Sequence, residues 1–488
     1  MRRTLTVAVL TLGLVGGVMP TASAQPAPPE GDFRNVELVT NLPQAQGATA
    51  LSFMTAGGVE VLVAVGRFGL QTYDLTDPAA PVLLDHLDND ALMIPGDSEG
   101  TFWQNEDMNV DDARDLVFLA RDPRAFNGTT GTGTAGLYVV DASDPADLEL
   151  VTFHELPAGH TSTCIDGCRY LWTGGPAKAD TMPEDWGGRP IWVTDLTDPA
   201  NPVTFPDPID TGRSDGRTDY SHDVQVDAHG VAWVSGAGGV RGYRTSGYHR
   251  DPVAGGVRRA TPWDPIPYAG GGIEEAAAPS KFMHNSVRPV GRDIRKGGVP
   301  RGYRPGELLY ATEERFAGDC ASDGVFVIAS LEGSYGGQGW RSTPENPFRL
   351  KTVGTWSVAD KEGTSDTTDC SAHYFELSDG IAAYSWYAQG TRFLDVTDPT
   401  NPIQIAYYRP DGGRSWAPYF HGDYVYIADN SRGIDVIALD EGARRARATR
   451  REVLAPPMTP RQVALARDTR AQYRPDEVLG WACPVPLT

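Results

Sequence analysis

Thr194–Phe205 reads TDLTDPANPVTF, and the same phrase returns as YDLTDPAAPVLL from Tyr73, VDASDPADLEL from Val140 and LDVTDPTNPIQI from Leu394. A β-rich run precedes each copy: GLQTY, GLYVV, PIWV and TRFL. The chemistry describes a strand that ends at an aspartate. The carboxylate accepts from backbone amides freed at the strand end, and the following proline fixes φ for a turn. The turn aspartates are Asp77, Asp144, Asp198 and Asp398. A second proline, where present, opens the next strand, which must then lie at a sheet edge because proline has no N–H to donate. Weaker copies without the Asp-Pro turn occur at GVRGYRTSG near Gly239, GVFVIAS from Gly324 and RGIDVIALD from Arg432.

Four clear units and three weaker ones, each of several short strands, predict an all-β chain: a seven-bladed β-propeller of four-stranded blades. NVELVTNLP from Asn35 resembles the segments that follow the turns, such as LELVTFHELP from Leu148, yet no strands precede it. The last unit lacks such a segment. The N-terminal strand is therefore expected to complete the last blade and close the ring. GLYVVDASDP, PIWVTDLTDP and TRFLDVTDP resemble the LVIVD repeat family, named for the consensus of this strand. The resemblance spans most of 35–440 and implies a propeller; it implies little about activity.

The chain has 488 residues, 55 Gly, 38 Pro and a formal net charge of −22. An apolar content of 40% excludes a disordered chain. The negative charge excludes nucleic acid and anionic lipid as partners. Residues 1–24 read as a secretory signal peptide: Arg2 and Arg3, an apolar run from Leu5 to Met19, then Ala22-Ser23-Ala24 before the cleavage site. RRTLT lacks the remainder of a twin-arginine signal, which favours Sec export. No later segment is apolar enough to span a bilayer, so a soluble, monomeric protein of the periplasm or cell exterior is expected. Residues 25–34 form a Pro-rich spacer and 35–440 the propeller. Residues 243–306 are set apart as a Gly/Pro-rich insertion, and 441–488 as a basic, Pro-containing tail or strap.

The five cysteines are Cys164, Cys168, Cys320, Cys370 and Cys483. Outside the cytoplasm disulfides are the default, which pairs Cys164 with Cys168 across CIDGC and Cys320 with Cys370, and leaves Cys483 odd. The rival reading of CxxxC is metal ligation.

Of nine histidines, five share one place in the repeat. Aligned by the strand that opens each blade, the segments are EDMNVD from Glu106, HTSTCID from His160, HDVQVD from His222, HNSVRP from His284, HYFEL from His373 and HGDYVYI from His421. In the first blade Thr49 of GATALSF takes that place. The start of each innermost strand faces the central channel at one rim. Glu106, His160, His222, His284, His373 and His421 are thus the candidate metal-site residues, with His222, His284 and His373 as the core set. Imidazole is the commonest protein ligand for zinc and copper, and a carboxylate can ligate beside it or orient it. The bland reading is a ring of hydrogen-bonded channel residues. Glu313-Glu314 and Glu274-Glu275 are adjacent pairs that can ligate a hard cation or exchange protons, although neighbours on a strand usually point to opposite faces. GAGG at Gly236 and GGG at Gly270 open no helix and are not phosphate loops, and no HExxH motif is present.

The sequence therefore points to a secreted propeller with a His-lined axial transition-metal site, copper or zinc, serving an oxidoreductase or hydrolase of a small-molecule substrate. The alternative is a non-catalytic extracytoplasmic scaffold that binds protein or polysaccharide.

Overall fold

The computed structural model describes residues 30–473, apart from 104, 130–132, 176–189, 213–220, 275–281, 299–301, 315–319, 321–323, 344, 347 and 364–368. The signal-peptide reading at 1–24, Glu275 and Cys483 lie outside the described residues. The fold is all-β, built from four-stranded antiparallel sheets. The first contains Ala48–Ala56, Val59–Gly66, Gly69–Asp74 and Val82–Leu87. The second contains Met108–Asp111, Leu116–Arg121, Gly136–Asp141 and Glu149–Glu155. The third contains Thr161–Ile165, Tyr170–Gly174, Trp192–Asp195 and Val203–Thr204.

The fourth is Ser221–Val226, Val231–Gly236, Gly239–Arg244 and Ile266–Ile273, and the fifth is Met283–Val287, Leu308–Glu313, Phe326–Ser330 and Arg349–Trp356. Their outer strands touch in a short parallel pairing at Gly272–Ile273 and Arg349–Leu350. The sixth is Phe375–Ser378, Ile381–Ser385, Thr391–Asp395 and Ile403–Pro410, extended at its edge by Gly31–Arg34. In the seventh, Ser415–His421, Tyr424–Asp429 and Gly433–Leu439 are joined by Val36–Leu42, which pairs antiparallel with Gly433–Leu439.

The Asp-Pro signature forms the predicted turn between third and fourth strands. Ala79 N donates to Asp77 Oδ1 at 3.0 Å, and Thr400 N to Asp398 Oδ1 at 3.1 Å. The aspartate three residues earlier does the same: Thr76 N donates to Asp74 Oδ1 at 2.6 Å. Two successive carboxylate-capped turns thus close each of these sheets. Pro402 opens a strand that is not a free edge along its whole length, because Gly31–Arg34 covers Tyr407–Pro410.

Alternating residues of each sheet bury their apolar side chains against the next sheet. Val63 and Val117 pack between the first and second sheets, Phe118 and Leu171 between the second and third, and Phe326 and Phe375 between the fifth and sixth. The cluster of Leu51 and Leu62 with Tyr426 and Ile434 joins the seventh sheet to the first. Truncating a buried leucine such as Leu62 costs about 2–5 kcal/mol.

Part of residues 243–306, set apart as an insertion from the sequence, belongs to the sheets. Tyr243 lies in the third strand of the fourth sheet, Ile266–Ile273 is its fourth strand, and Met283–Val287 opens the fifth. The hairpin of Tyr248–Arg250 and Val257–Arg259 and the loop with the 3-10 turn Gly291–Asp293 stand apart from them. The glycines in this stretch mask the strand pattern. Of the described part of the tail, Glu441–Val453 lies along the sixth sheet. Asp440 caps the helix Glu441–Thr449, whose Ala443 and Ala446 pack with Phe393, Ile403 and Ile437. Arg447 and Arg450 reach Asp395 at 3.6 and 3.3 Å, and Val453 N donates to Gln404 O.

Cys164 is joined to Cys168, and Cys320 to Cys370. The second bridge ties the segment after Glu314 to the segment before His373. Among the described residues no helix is long and apolar enough to cross a membrane.

Candidate metal centre

The first strand of each sheet starts at one rim of the channel, and at several of these starts the ladder is bulged. The register shifts across Thr49, His222 and Trp416, and between Met283 and Ser286 around His284. A bulge sets two residues against one and turns a side chain out of the alternating pattern. His160, His222, His284 and His373 are all fully buried, as are Glu106 and Glu314 to within 2%.

The imidazoles converge on one carboxylate oxygen. Glu106 Oε2 lies 3.3 Å from the Nε2 of His160, of His222 and of His284, and 3.8 Å from that of His373. Glu314 approaches from the other side, 3.5 Å from His284 Nε2 and 4.0 Å from His373 Nε2. The Tyr387 hydroxyl donates to Glu314 Oε1. Among the described residues, two groups have ligand atoms close enough for a metal ion: Glu106, His222 and His284, and His284, Glu314 and His373.

The outer nitrogens of His160, His222 and His373 are anchored, whereas His284 Nδ1 has no hydrogen-bond partner among the described residues. His222 Nδ1 donates to the His284 carbonyl at 3.1 Å, and His373 Nδ1 to the Trp416 carbonyl at 2.6 Å. His160 Nδ1 lies 3.0 Å from Asp122 Oδ2, and Asp122 is held by Arg124. A carbonyl or an ionised carboxylate can only accept, so each of these three imidazoles carries a proton on Nδ1 and turns Nε2 inward. Burial raises the Asp122 pKa, but the Arg124 guanidinium overrides it and sets it at about 2. Burial likewise opposes ionisation of Glu106, yet the charge of His160 and the hydrogen bonds of three imidazoles hold it well below the usual carboxylate range. Burial, then the His222 charge, lowers His284 to about 3 and keeps it neutral.

Gly175, at φ +88°, leaves room for this ring. A Cβ there would stand 2.2 Å from His160 Cβ.

The structure brings Glu106, His160, His222, His284 and His373 together. His421 is not with them. It ends the strand Ser415–His421, about 15–20 Å from the rim at 3.3 Å per residue. It stacks on Phe53 with centroids 4.2 Å apart and lies 3.3 Å from Glu60 Oε1. HGD is the hairpin turn between two strands, not a strand start, and Trp416 holds the ring position of the seventh sheet. Thr49 holds it in the first, where its hydroxyl donates to Val65 O. His86 and His249 bond backbone carbonyls far from the centre.

Sequence reasoning weighed Glu314 only as half of an acidic pair and missed Asp122, Tyr387 and Trp416. The available signal is antiparallel pairing. The second strand of each sheet returns to the rim where the first began, so residues just past Leu116–Arg121, Leu308–Glu313 and Ile381–Ser385 stand beside the ring. GDSEG at Gly96–Gly100 has nucleophile-elbow spacing, but it lies in a loop with Ser98 exposed, away from any strand-to-helix turn.

Residues 412–438 match the LVIVD repeat model. The matched unit is the last, one of those without the Asp-Pro turn. Among solved structures the chain is similar to the periplasmic gluconolactonase PpgL of Pseudomonas aeruginosa, at TM-score 0.49 and 15% identity over 77% of this chain and 90% of that one. It is similar to a Lactobacillus plantarum protein, at TM-score 0.46 and 10% identity over 81% and 94%. It is also similar to the β-propeller domain of Cps50 (Swd1) from Myceliophteria thermophila, at TM-score 0.47 and 8% identity over 82% and 99%. No curated protein matches the chain.

Proposed function

We propose that this protein is an exported, monomeric, seven-bladed propeller whose ring is closed by Val36–Leu42, and that it holds one copper or zinc ion on its axis as the centre of a metal-dependent enzyme. The sheet pairings and the apolar cluster joining the seventh sheet to the first support the ring. The leader-like residues 1–24 and the two disulfides support export.

One observation carries the metal reading: three imidazole Nε2 atoms stand 3.3 Å from a single carboxylate oxygen. A four-coordinate ion with bonds of about 2.0–2.1 Å keeps its ligands about 3.3–3.4 Å apart. Glu106, His222 and His284 hold the ion, with His373 and His160 completing its surroundings. When bound, the ion supplies a Lewis acid and a water of lowered pKa. Asp122 and the carbonyls of His284 and Trp416 orient the imidazoles. Glu314, fixed by the Tyr387 hydroxyl, is the base that accepts a proton from a ligand at the centre. Zinc, which has no redox chemistry, favours a hydrolase, and copper, which changes oxidation state, an oxidoreductase.

The test is retention. Protein loaded separately with zinc or copper and dialysed against buffer should keep one equivalent of one of them. A non-catalytic scaffold would keep neither.

A further inference from the structure

The helix Glu441–Thr449 and the edge strand Gly31–Arg34 border a cavity of about 660 Å³ on the outer side of the sixth sheet. Gly442, Arg445, Ala446 and Thr449 line it, at the i, i+3, i+4 and i+7 spacing of one helix face. The sheet contributes Arg34 and Tyr407, which pair across two strands and so share a face. The Asp440 amide donates to the Asn35 carbonyl at 3.1 Å, which fixes the helix start against the strand. At Arg450, with φ +50°, the chain turns back. Arg451 N then donates to Ala446 O at 2.9 Å, and Arg451 joins the lining. Three arginines thus border one space.

The other arginines of this helix and its end already have carboxylates. Arg444 pairs with Glu441, Arg447 with Asp395 at 3.6 Å and Arg450 with Asp395 at 3.3 Å. Among the described residues Arg34, Arg445 and Arg451 meet no carboxylate, although the chain has 64 acidic residues against 42 basic. Glu452, the one acid in the lining, is held by Trp356 Nε1 at 3.1 Å and Lys361 Nζ at 3.4 Å. Tyr407 is only 6% exposed, and its hydroxyl bonds no described residue. Charges beyond about 8 Å are screened at physiological salt, so the acidic remainder of the chain does not cancel this local positive field. The guanidinium fork matches the oxygens of carboxylate and phosphate, and a tyrosine hydroxyl adds a donor. The space falls in the size range of small-molecule clefts.

We propose that Arg34, Arg445 and Arg451, with the Tyr407 hydroxyl, bind a small ligand with two or more oxyanion charges, phosphate or carboxylate, between the tail helix and the edge of the sixth sheet. The site lies apart from the histidine centre and does not depend on the metal reading.

Pyrophosphate and citrate are the probes, titrated separately into the full exported chain by calorimetry at low ionic strength. At least one should bind, and the tighter of the two identifies phosphate or carboxylate as the group recognised. Arg34→Gln, Arg445→Gln and Arg451→Gln should each weaken binding about tenfold, the effect of one charge-assisted hydrogen bond. All three side chains are exposed, so these variants should melt as wild type does without probe, which separates lost binding from lost folding. Arg444→Gln, next to Arg445 but outside the lining, should bind as wild type does. Wild type that binds neither probe would overturn the proposal. So would unchanged binding in the three variants, which would put the anion elsewhere, or an equal loss in Arg444→Gln, which would reduce the effect to general charge.

Discussion

The Nδ1–H of His222 donates to the backbone carbonyl of His284, the ring residue of the next sheet, at 3.1 Å. The same link runs from His373 to the carbonyl of Trp416. Each imidazole is therefore aimed by the neighbouring sheet, and the centre depends on how the sheets pack, not on any one strand.

His160 is aimed differently, by the Asp122 carboxylate at 3.0 Å. Asp122→Asn keeps the shape and removes the charge. Metal affinity, read by competition with a chelator, should fall about 10–100-fold while the fold persists. Unchanged affinity would remove Asp122 from the account.

Deleting residues up to Pro43 strips two strands, Gly31–Arg34 from the sixth sheet and Val36–Leu42 from the seventh. Both leave bare edges and open the cluster containing Leu42 and Ile434. The truncated protein should aggregate and melt lower than the full chain. A truncated monomer with an unaltered melting midpoint would contradict ring closure.

Cys370 stands three residues before His373, and its bridge to Cys320 spans 50 residues of sequence. Chain-entropy scaling assigns such a loop about 4 kcal/mol, against about 2 kcal/mol for the short Cys164–Cys168 loop. Denaturant unfolding of Cys370→Ser and Cys164→Ser should show that order. The reverse order would mean that the longer bridge does not restrain the unfolded chain.

Burial raises the Glu376 carboxyl from its ordinary 4.5 to about 7, against the lowering effects of the Phe420 amide and Lys296. Between those values the folded protein keeps a proton that the unfolded chain releases, so stability falls as pH rises through the window. Glu376 is only partly buried, so solvent screens its charge, which leaves about 1–2 kcal/mol lost by pH 8 relative to pH 4. Glu376→Gln should remove that slope in denaturant unfolding across the range. A variant with the wild-type slope would show that Glu376 is not the titrating group.

The sheets were legible because the Asp-Pro turn is local chemistry, written in four or five adjacent residues. The approach of Glu106, His160, His222, His284 and His373 was legible because all occupy one phase of the repeat. His421 misled because HGD before YVYI reads as a strand opening, while Gly422, at φ +57°, makes it the hairpin turn. Asp122, Glu314 and Tyr387 follow second strands and reach the rim only through antiparallel pairing, which no local pattern encodes. The strand Ile266–Ile273 was hidden by Gly270, Gly271 and Gly272, whose missing side chains erase the alternation.

Elemental analysis of the exported protein, purified without added metal, tests the central claim most directly. One copper or zinc ion per chain is predicted. His222→Ala, His284→Ala and His373→Ala should each lose most of it, while His86→Ala, His249→Ala and His421→Ala keep it. Wild type without a stoichiometric transition metal, or ring variants that retain it in full, would contradict the account.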